Sequence, residues 1–312
     1  VFMLPIIEYA GNGDKAVGIE NVMTWLAITG TAMLLITFFT TSERIVPTPA
    51  QKSSLKEDLT DLAKNKPWVI MLLLTTLVFI NLAMKGGSYV YYFENYVDKV
   101  SLTQFIQPVL TFLTGIGVNF FGENPVSAGF GLFNAGGIIF MIVGITLSKG
   151  LADKYGKRDV FGVTLFISTL FILFFYFFPP TSIGLIFGSQ ILHGFFYGIT
   201  IPLLWAMIAD VADYSEWKNN RRATAIIFSA MMVGLKGGLS IGSALLTWIL
   251  GLYDYVPQSD AVQSDTAILG TKLLVSIYPS IPFLIGVGLL FFYEINKKLE
   301  DKIESDLSSR RE

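Results

Sequence analysis

Seven stretches of this chain run for about twenty residues or more with almost no charge, and short charged segments separate them. In a bilayer such a stretch is the length of a helix crossing a hydrocarbon layer of ~30 Å. The stretches are Asn21–Thr41, Pro67–Tyr92, Gly129–Ser148, Val160–Phe178, Ile183–Ala209, Ala223–Gly251 and Lys272–Glu294. Lipid offers no hydrogen bonds, so each stretch must satisfy its own backbone, and helices do so within one segment. Only 15% of the 312 residues are charged, against about a quarter in soluble domains. The sequence predicts an all-α, polytopic membrane protein in contact with lipid.

Charge decides an eighth candidate, Phe105–Phe121. With seven spans, four segments share one side: 42–66, 149–158, 210–222 and the tail from 295. They hold seventeen Lys and Arg, while the opposite side holds three, Lys15, Lys99 and Lys272. That asymmetry puts the start outside and the tail in the cytoplasm. An eighth span would place the 149–158 cluster on the wrong side. Gln104, Gln107, Thr111 and Thr114 also recur at 3, 4 and 3, giving 105–121 one polar helical face. It is therefore expected as an interfacial helix at the outer mouth.

Other classes drop out on composition. The chain has no Cys and one His, which removes disulfides, thiolate chemistry and multi-histidine metal sites. A net charge of −2 gives no basic face for nucleic acid. No nucleophile elbow, zinc-protease, P-loop or calcium-loop pattern occurs, so no enzyme, cofactor or metal centre is expected. Gly129, Gly131 and Gly136 imitate a dinucleotide fingerprint but lie inside a span with no preceding strand.

Within the sixth span, "MMVGLKGGLSIG" places Lys236 some 13 residues from either boundary. A charge at that depth costs roughly 2.5–3.5 kcal/mol on insertion scales and usually faces a cavity or a partner. Ser229, Lys236, Ser240, Ser243 and Thr247 form one stripe, while Gly234, Gly238 and Gly242 form a nearly opposite ridge. Small residues every fourth position admit a second helix. One face is thus expected to pack and the other to present an ammonium and hydroxyls to a water-filled route. Back-bonding to helix carbonyls explains each hydroxyl equally well, but not the lysine. In the second span, "NLAMKGGSYVYYFENY" sets Lys85 before a glycine pair where a helix can bend. It also sets Tyr89, Tyr92 and Tyr96 on one outward face. These tyrosines suit either an aromatic belt or a gate. Gln190, His193 and Tyr197 share a face of the fifth span.

"ADVADYSEWKNNRRATA" aligns Asp210, Asp213 and Glu216 at i, i+3 and i+6, followed by Lys218, Arg221 and Arg222. "LADKYGKRD" adds Asp153, Lys154, Lys157 and Arg158. Stop-transfer charge explains the bases but not the acids, so ion pairs that open and close one side of a pathway are expected. The string D-x-x-D-Y-x-E-x-K-x-x-x-R-x-A leading into L-K-G-G resembles the glycoside–pentoside–hexuronide:cation symporters. "GLADKYGKR" resembles the loop signature of the wider major facilitator superfamily. "TSER" before a charged linker and "KGG…YYFENY" fit the same family, and the likeness runs along the whole chain.

The resemblance implies a melibiose permease-like, twelve-helix major facilitator fold of two six-helix bundles. Residues 1–41 would end the amino-terminal bundle, with "VFMLPII" as the tail of a helix whose body lies upstream. Residues 42–66 would be the inter-bundle linker, with a surface helix in "LKEDLTDLAK". Residues 67–294 would be the carboxyl-terminal bundle and 295–312 a cytoplasmic tail. The function implied is sugar:cation symport, with Na+ or H+, by alternating access in a bacterial cytoplasmic membrane. Lys236 matches the family's lysine beside the sugar site, and Ser229, Met232, Ser240, Tyr89 and Tyr197 complete the expected substrate set. Asp210, Asp213, Glu216 and Arg222, with Asp153, Lys157 and Arg158, form the implied cytoplasmic lock. The coupling cation would bind in the amino-terminal bundle, whose carboxylates this chain lacks. Met231 and Met232 replace polar residues of melibiose permease, leaving a lysolipid or other amphiphile as an alternative cargo. Seven spans with an intramembrane lysine also suit a retinal protein, though no membrane carboxylate could serve as counter-ion. Neither the sugar nor an oligomeric state is legible.

Overall fold

The computed structural model describes residues 3–12, 14–42, 62–118, 124–219, 224–257 and 262–311. They form α1 (Met3–Ala10), α2 (Lys15–Thr40), α3 (Lys66–Asn95), α4 (Lys99–Gly115), α5 (Pro125–Tyr155), α6 (Lys157–Phe174), α7 (Ile183–Asn219), α8 (Thr224–Leu252), α9 (Asp265–Val275), α10 (Ile277–Leu290) and α11 (Lys297–Arg311). No strand occurs among the described residues. Among the described residues, seven helical segments are long and apolar enough to cross a membrane, the last being α9 and α10 together. The proposed surface helix in 42–66 lies largely outside the described residues.

Local chemistry sets the helix starts. The Asp14 carboxylate accepts from the Ala16 amide at 2.8 Å and opens α2. Asn65 accepts from the Trp68 amide while Pro67 fills a first-turn position of α3, where a missing N–H costs nothing. The Ser264 hydroxyl accepts from the Ala267 amide at 3.1 Å and opens α9. Gly156 alone separates α5 from α6, with φ of 89°. That left-handed turn favours glycine, and it delivers Lys157 and Arg158 to the end of the bundle.

Two compact units divide the chain. One holds 1–54 and 99–135. In it, Gly18 of α2 lies directly against the Ile7 carbonyl of α1. Beyond that contact α2 is apolar all round, with Leu34, Phe38 and Phe39 more than 70% exposed, as suits a helix surrounded by lipid or other membrane helices. α4 begins at Lys99, six residues before the expected boundary, and ends at Gly115. Gly117, with φ of 87°, turns the chain just beyond it. Only Leu102 and Ile106 of α4 are buried. Gln107, Thr111 and Thr114 line an open cavity of about 670 Å³ with Asn124, so three of the four expected polar residues share it. At 17 residues α4 is shorter than the ~20 of a typical span.

The second unit holds 55–98 and 136–312, and its core joins α3, α6, α7, α8, α10 and α11. Met71, Leu74, Phe161, Leu165, Ile208, Val211, Ile227 and Met231 are all at most 1% exposed. The glycine ridge of α8 behaves as its spacing predicts. A Cβ on Gly238 would lie 2.5 Å from the Thr76 carbonyl oxygen, and one on Gly242 2.5 Å from that of Ile80. Because Gly234, Gly238 and Gly242 meet successively later residues of α3, the two helices run parallel.

Two expectations change. The seventh span begins at Asp265 and breaks at Ser276, where φ is −124° and ψ −79°. Pro279, four residues after Val275, clashes with a continuous helix there. Lys272, counted as an outer-segment residue, therefore sits within α9, about 5 Å from the ring centroids of Tyr96 and Tyr176. α3 is also continuous through Gly86 and Gly87 rather than opened there.

Candidate transport site and cytoplasmic charge cluster

Because α8 packs on α3 through its glycine ridge, the opposite face is left open. Ser229, Met232, Lys236 and Ser240 all lie exposed on it. No described residue hydrogen-bonds or ion-pairs with the Lys236 ammonium. Met231 points the other way and is buried against Thr75, whose hydroxyl donates to its sulfur at 3.9 Å. The hydroxyls are less free than the stripe suggested. Ser240 donates to the Lys236 carbonyl at 2.9 Å and Thr247 to that of Ala244 at 3.0 Å. Their hydrogens are thus spent on the helix, and only lone pairs remain for a ligand.

Tyr89 and Tyr197 do not sit on that face. Tyr89 is buried, and its hydroxyl donates to Gln190 Oε1 at 3.0 Å. Tyr197 is half-buried and stacked between the rings of His193 and Phe283, at 5.7 and 5.9 Å. His193 is buried with Nδ1 2.8 Å from the Ser168 hydroxyl and 3.1 Å from the Ser168 carbonyl. Lys85 joins this interior group with Nζ 5.4 Å from the Tyr89 ring centroid. The expected substrate set thus divides into an open face on α8 and a polar interior shared by α3, α6 and α7. Reading Lys85 only as a residue beside a bend missed the second group. Its signal was Lys85 one turn before Tyr89, matched by Gln190 and His193 one turn apart.

At the other end of this unit, Lys157 Nζ lies 2.6 Å from Asp210 and 3.1 Å from Glu300. All three are partly buried, so water screens the contact less than a surface pair. Asp213 lines the adjoining cleft of about 330 Å³ with Glu300 and Glu304. Arg158 does not join the acidic row. It holds Asp159 at 2.7 Å and donates to the Tyr293 carbonyl at 3.2 Å. Glu216 is half-buried in the last turns of α7, and Asp153 is exposed at the end of α5. Arg222 lies outside the described residues.

The tail is more than a solvated extension. Ile303 and Leu307 of α11 are buried in the core, and Asp306 accepts from the Trp217 indole N–H at 2.8 Å. Arg310 donates to the Trp217 carbonyl at 3.2 Å. The ion pair Lys157–Asp210 therefore lies within one unit and is clamped by a tail helix that charge counting alone did not place.

The family model described as "MFS/sugar transport protein" matches residues 112–297. A "Putative glycoside/cation symporter YagG" of Escherichia coli (strain K12) is 29% identical over 97% of this chain and 59% of its own length. The "Isoprimeverose transporter" of Lactiplantibacillus pentosus is 26% identical over 98% of this chain and 58% of its own. A "Putative 2,3-dihydroxypropane-1-sulfonate exporter" of Escherichia coli (strain K12) is 24% identical over 96% of this chain and 59% of its own. The chain thus spans under two thirds of the length of these relatives. Seven membrane-length helices, a lysine on the open face of one of them and this match together establish the chain as an integral membrane protein of the MFS/sugar transport protein family.

Proposed function

We propose that the chain forms the carboxyl-terminal bundle, with the end of the amino-terminal bundle, of a secondary active transporter that moves a sugar or sugar-like polyol together with Na+ or H+ by alternating access. It resides in a bacterial cytoplasmic membrane with its tail inside, as the distribution of basic residues supports, seventeen on that side against Lys15 and Lys99 on the other once Lys272 is placed within α9. The observation that carries the reading is Lys236. Its helix buries the glycine ridge and leaves the ammonium open, so an intramembrane charge faces a route rather than a core. The ammonium donates to cargo hydroxyls and Ser229 and Met232 flank it, while Tyr89 and Tyr197 belong to the separate interior group of α3, α6 and α7. The coupling cation binds to carboxylates that this chain does not supply.

The test is sugar-dependent cation uptake in vesicles from cells expressing the intact gene, compared with Lys236→Ala. Uptake with unchanged rate and half-saturation in the variant removes the assignment. An export direction, as in the name of the sulfonate relative, would appear as efflux from preloaded vesicles and would replace symport.

A further inference from the structure

At the end of the bundle that carries the Lys157–Asp210 pair, α6 and α10 enclose an open groove of about 670 Å³. Gly162 and Leu290 form its floor, where a Cβ on the glycine would lie 3.2 Å from the leucine side chain. Its rim is Val163, Phe166 and Phe291, which are 59%, 44% and 84% exposed. The groove lies away from the Lys236 face. On α3, Thr76 meets Gly238 of α8 and Leu74 meets Gly286 of α10. Positions two apart point about 200° apart around a helix, so α3 stands between α8 and α10. Both walls belong to membrane-length segments, and this apolar surface is therefore set in the hydrocarbon layer.

The charge in the lining is confined to one end, at Arg158 and Asp159. Phe166 is eight residues further along α6, about 12 Å deeper. Arg158 is held in place, with Nε 2.7 Å from Asp159 Oδ1 and Nη1 donating to the Tyr293 carbonyl at 3.2 Å. These contacts leave the Nη2 hydrogens and Asp159 Oδ2 without a partner among the described residues. A fixed donor group and a fixed acceptor thus stand side by side above an apolar slot.

Lipid tails are as apolar as the walls of the groove, so an acyl chain gains little by choosing it. Selection must come from the headgroup, as in other polar pockets between membrane helices on the cytoplasmic side. We infer that the groove is a binding site for an aminophospholipid of the cytoplasmic leaflet. Its phosphate accepts from Arg158 Nη2, its ethanolamine ammonium donates to Asp159 Oδ2, and one chain lies along Gly162 and Phe166. An acidic headgroup would set a second negative charge beside Asp159. A choline headgroup carries the positive charge but has no N–H to donate. The assignment to the cytoplasmic leaflet rests on the orientation proposed above; the headgroup match depends only on the two side chains.

The test is native mass spectrometry of the purified product of the intact gene. It is titrated separately with palmitoyl-oleoyl phosphatidylethanolamine, phosphatidylcholine and phosphatidylglycerol. The ethanolamine lipid should bind at least ~10-fold tighter than either of the others, the size of one hydrogen bond to a charged group. Asp159→Asn should bring the ethanolamine and choline lipids together, and Arg158→Gln should weaken all three. Val163→Trp fills the groove from its exposed rim without touching the Arg158–Tyr293 contact, and should also weaken all three. If Arg158→Gln does not fold, the other two variants carry the comparison. Equal binding of the three lipids, or a preference for phosphatidylglycerol, overturns the inference and leaves the transporter reading intact. An unchanged preference in Asp159→Asn overturns it even where thermal stability falls, since the acid is then structural. Unchanged binding in Val163→Trp places the lipid elsewhere and overturns it as well. A dimer in mild detergent that Val163→Trp dissociates assigns the face to a second copy of the chain instead.

Discussion

The Lys157 ammonium on α6 stands 2.6 Å from the Asp210 carboxylate on α7, and Glu300 of α11 closes on the same nitrogen at 3.1 Å. One cation thus ties together three helices at the end of the bundle. Removing it leaves two partly buried acids facing each other. Lys157→Gln should lower stability by about 2–4 kcal/mol, because each acid keeps its desolvation cost without its partner. Thermal unfolding in detergent measures this. A double-mutant cycle with Asp210→Asn should return a coupling of about 1 kcal/mol or more.

The two glycines after Lys236 should differ in tolerance. A Cβ at Gly238 meets the Thr76 carbonyl oxygen at 2.5 Å, whereas at Gly237 it meets nothing within 4 Å. Gly238→Ala must push α8 off α3 and should cost about 1–3 kcal/mol. Gly237→Ala should be neutral or slightly stabilising through better helix propensity. Melting temperatures of the two variants check the contrast, and equal values would contradict the packing.

Two serines on the open face of α8 should also separate. Ser240 spends its hydroxyl hydrogen on the Lys236 carbonyl, so Ser240→Ala should leave transport within about twofold of the parent, as loss of a helix back-bond carries little cost. Ser229 is exposed and donates to no described residue. Ser229→Ala should raise the half-saturation constant several-fold if that hydroxyl meets cargo. Uptake kinetics of the pair read this directly.

The tail helix should matter for folding. Ile303 and Leu307 are each 4% exposed within the core. Ile303→Ala should therefore cost about 2–4 kcal/mol. It should also make the tail more susceptible to trypsin, which limited digestion of inside-out vesicles would show. Trp217→Phe removes the indole donor to Asp306 but keeps the ring, and its effect should be smaller, near ~1 kcal/mol.

Much of this was legible in one dimension. Apolar runs and basic-residue asymmetry located the spans because the bilayer imposes length and polarity on every segment that crosses it. Four-residue glycine spacing predicted the α8–α3 seam because side-chain bulk alone decides how closely two helices approach. What failed had a common cause. The break at Ser276, the tail's burial and the role of Glu300 depend on which elements meet, and periodicity within one helix is silent on that.

Span number, span type and the open side of the lysine helix follow from residue order alone, since each depends on the solvent a segment faces. The pairing of Lys157 with Glu300, and the seclusion of Lys85 among Tyr89, Gln190 and His193, arise only when α3, α6, α7 and α11 converge. Charges far apart in the chain are brought within a few ångströms there, and burial then decides whether each has a partner.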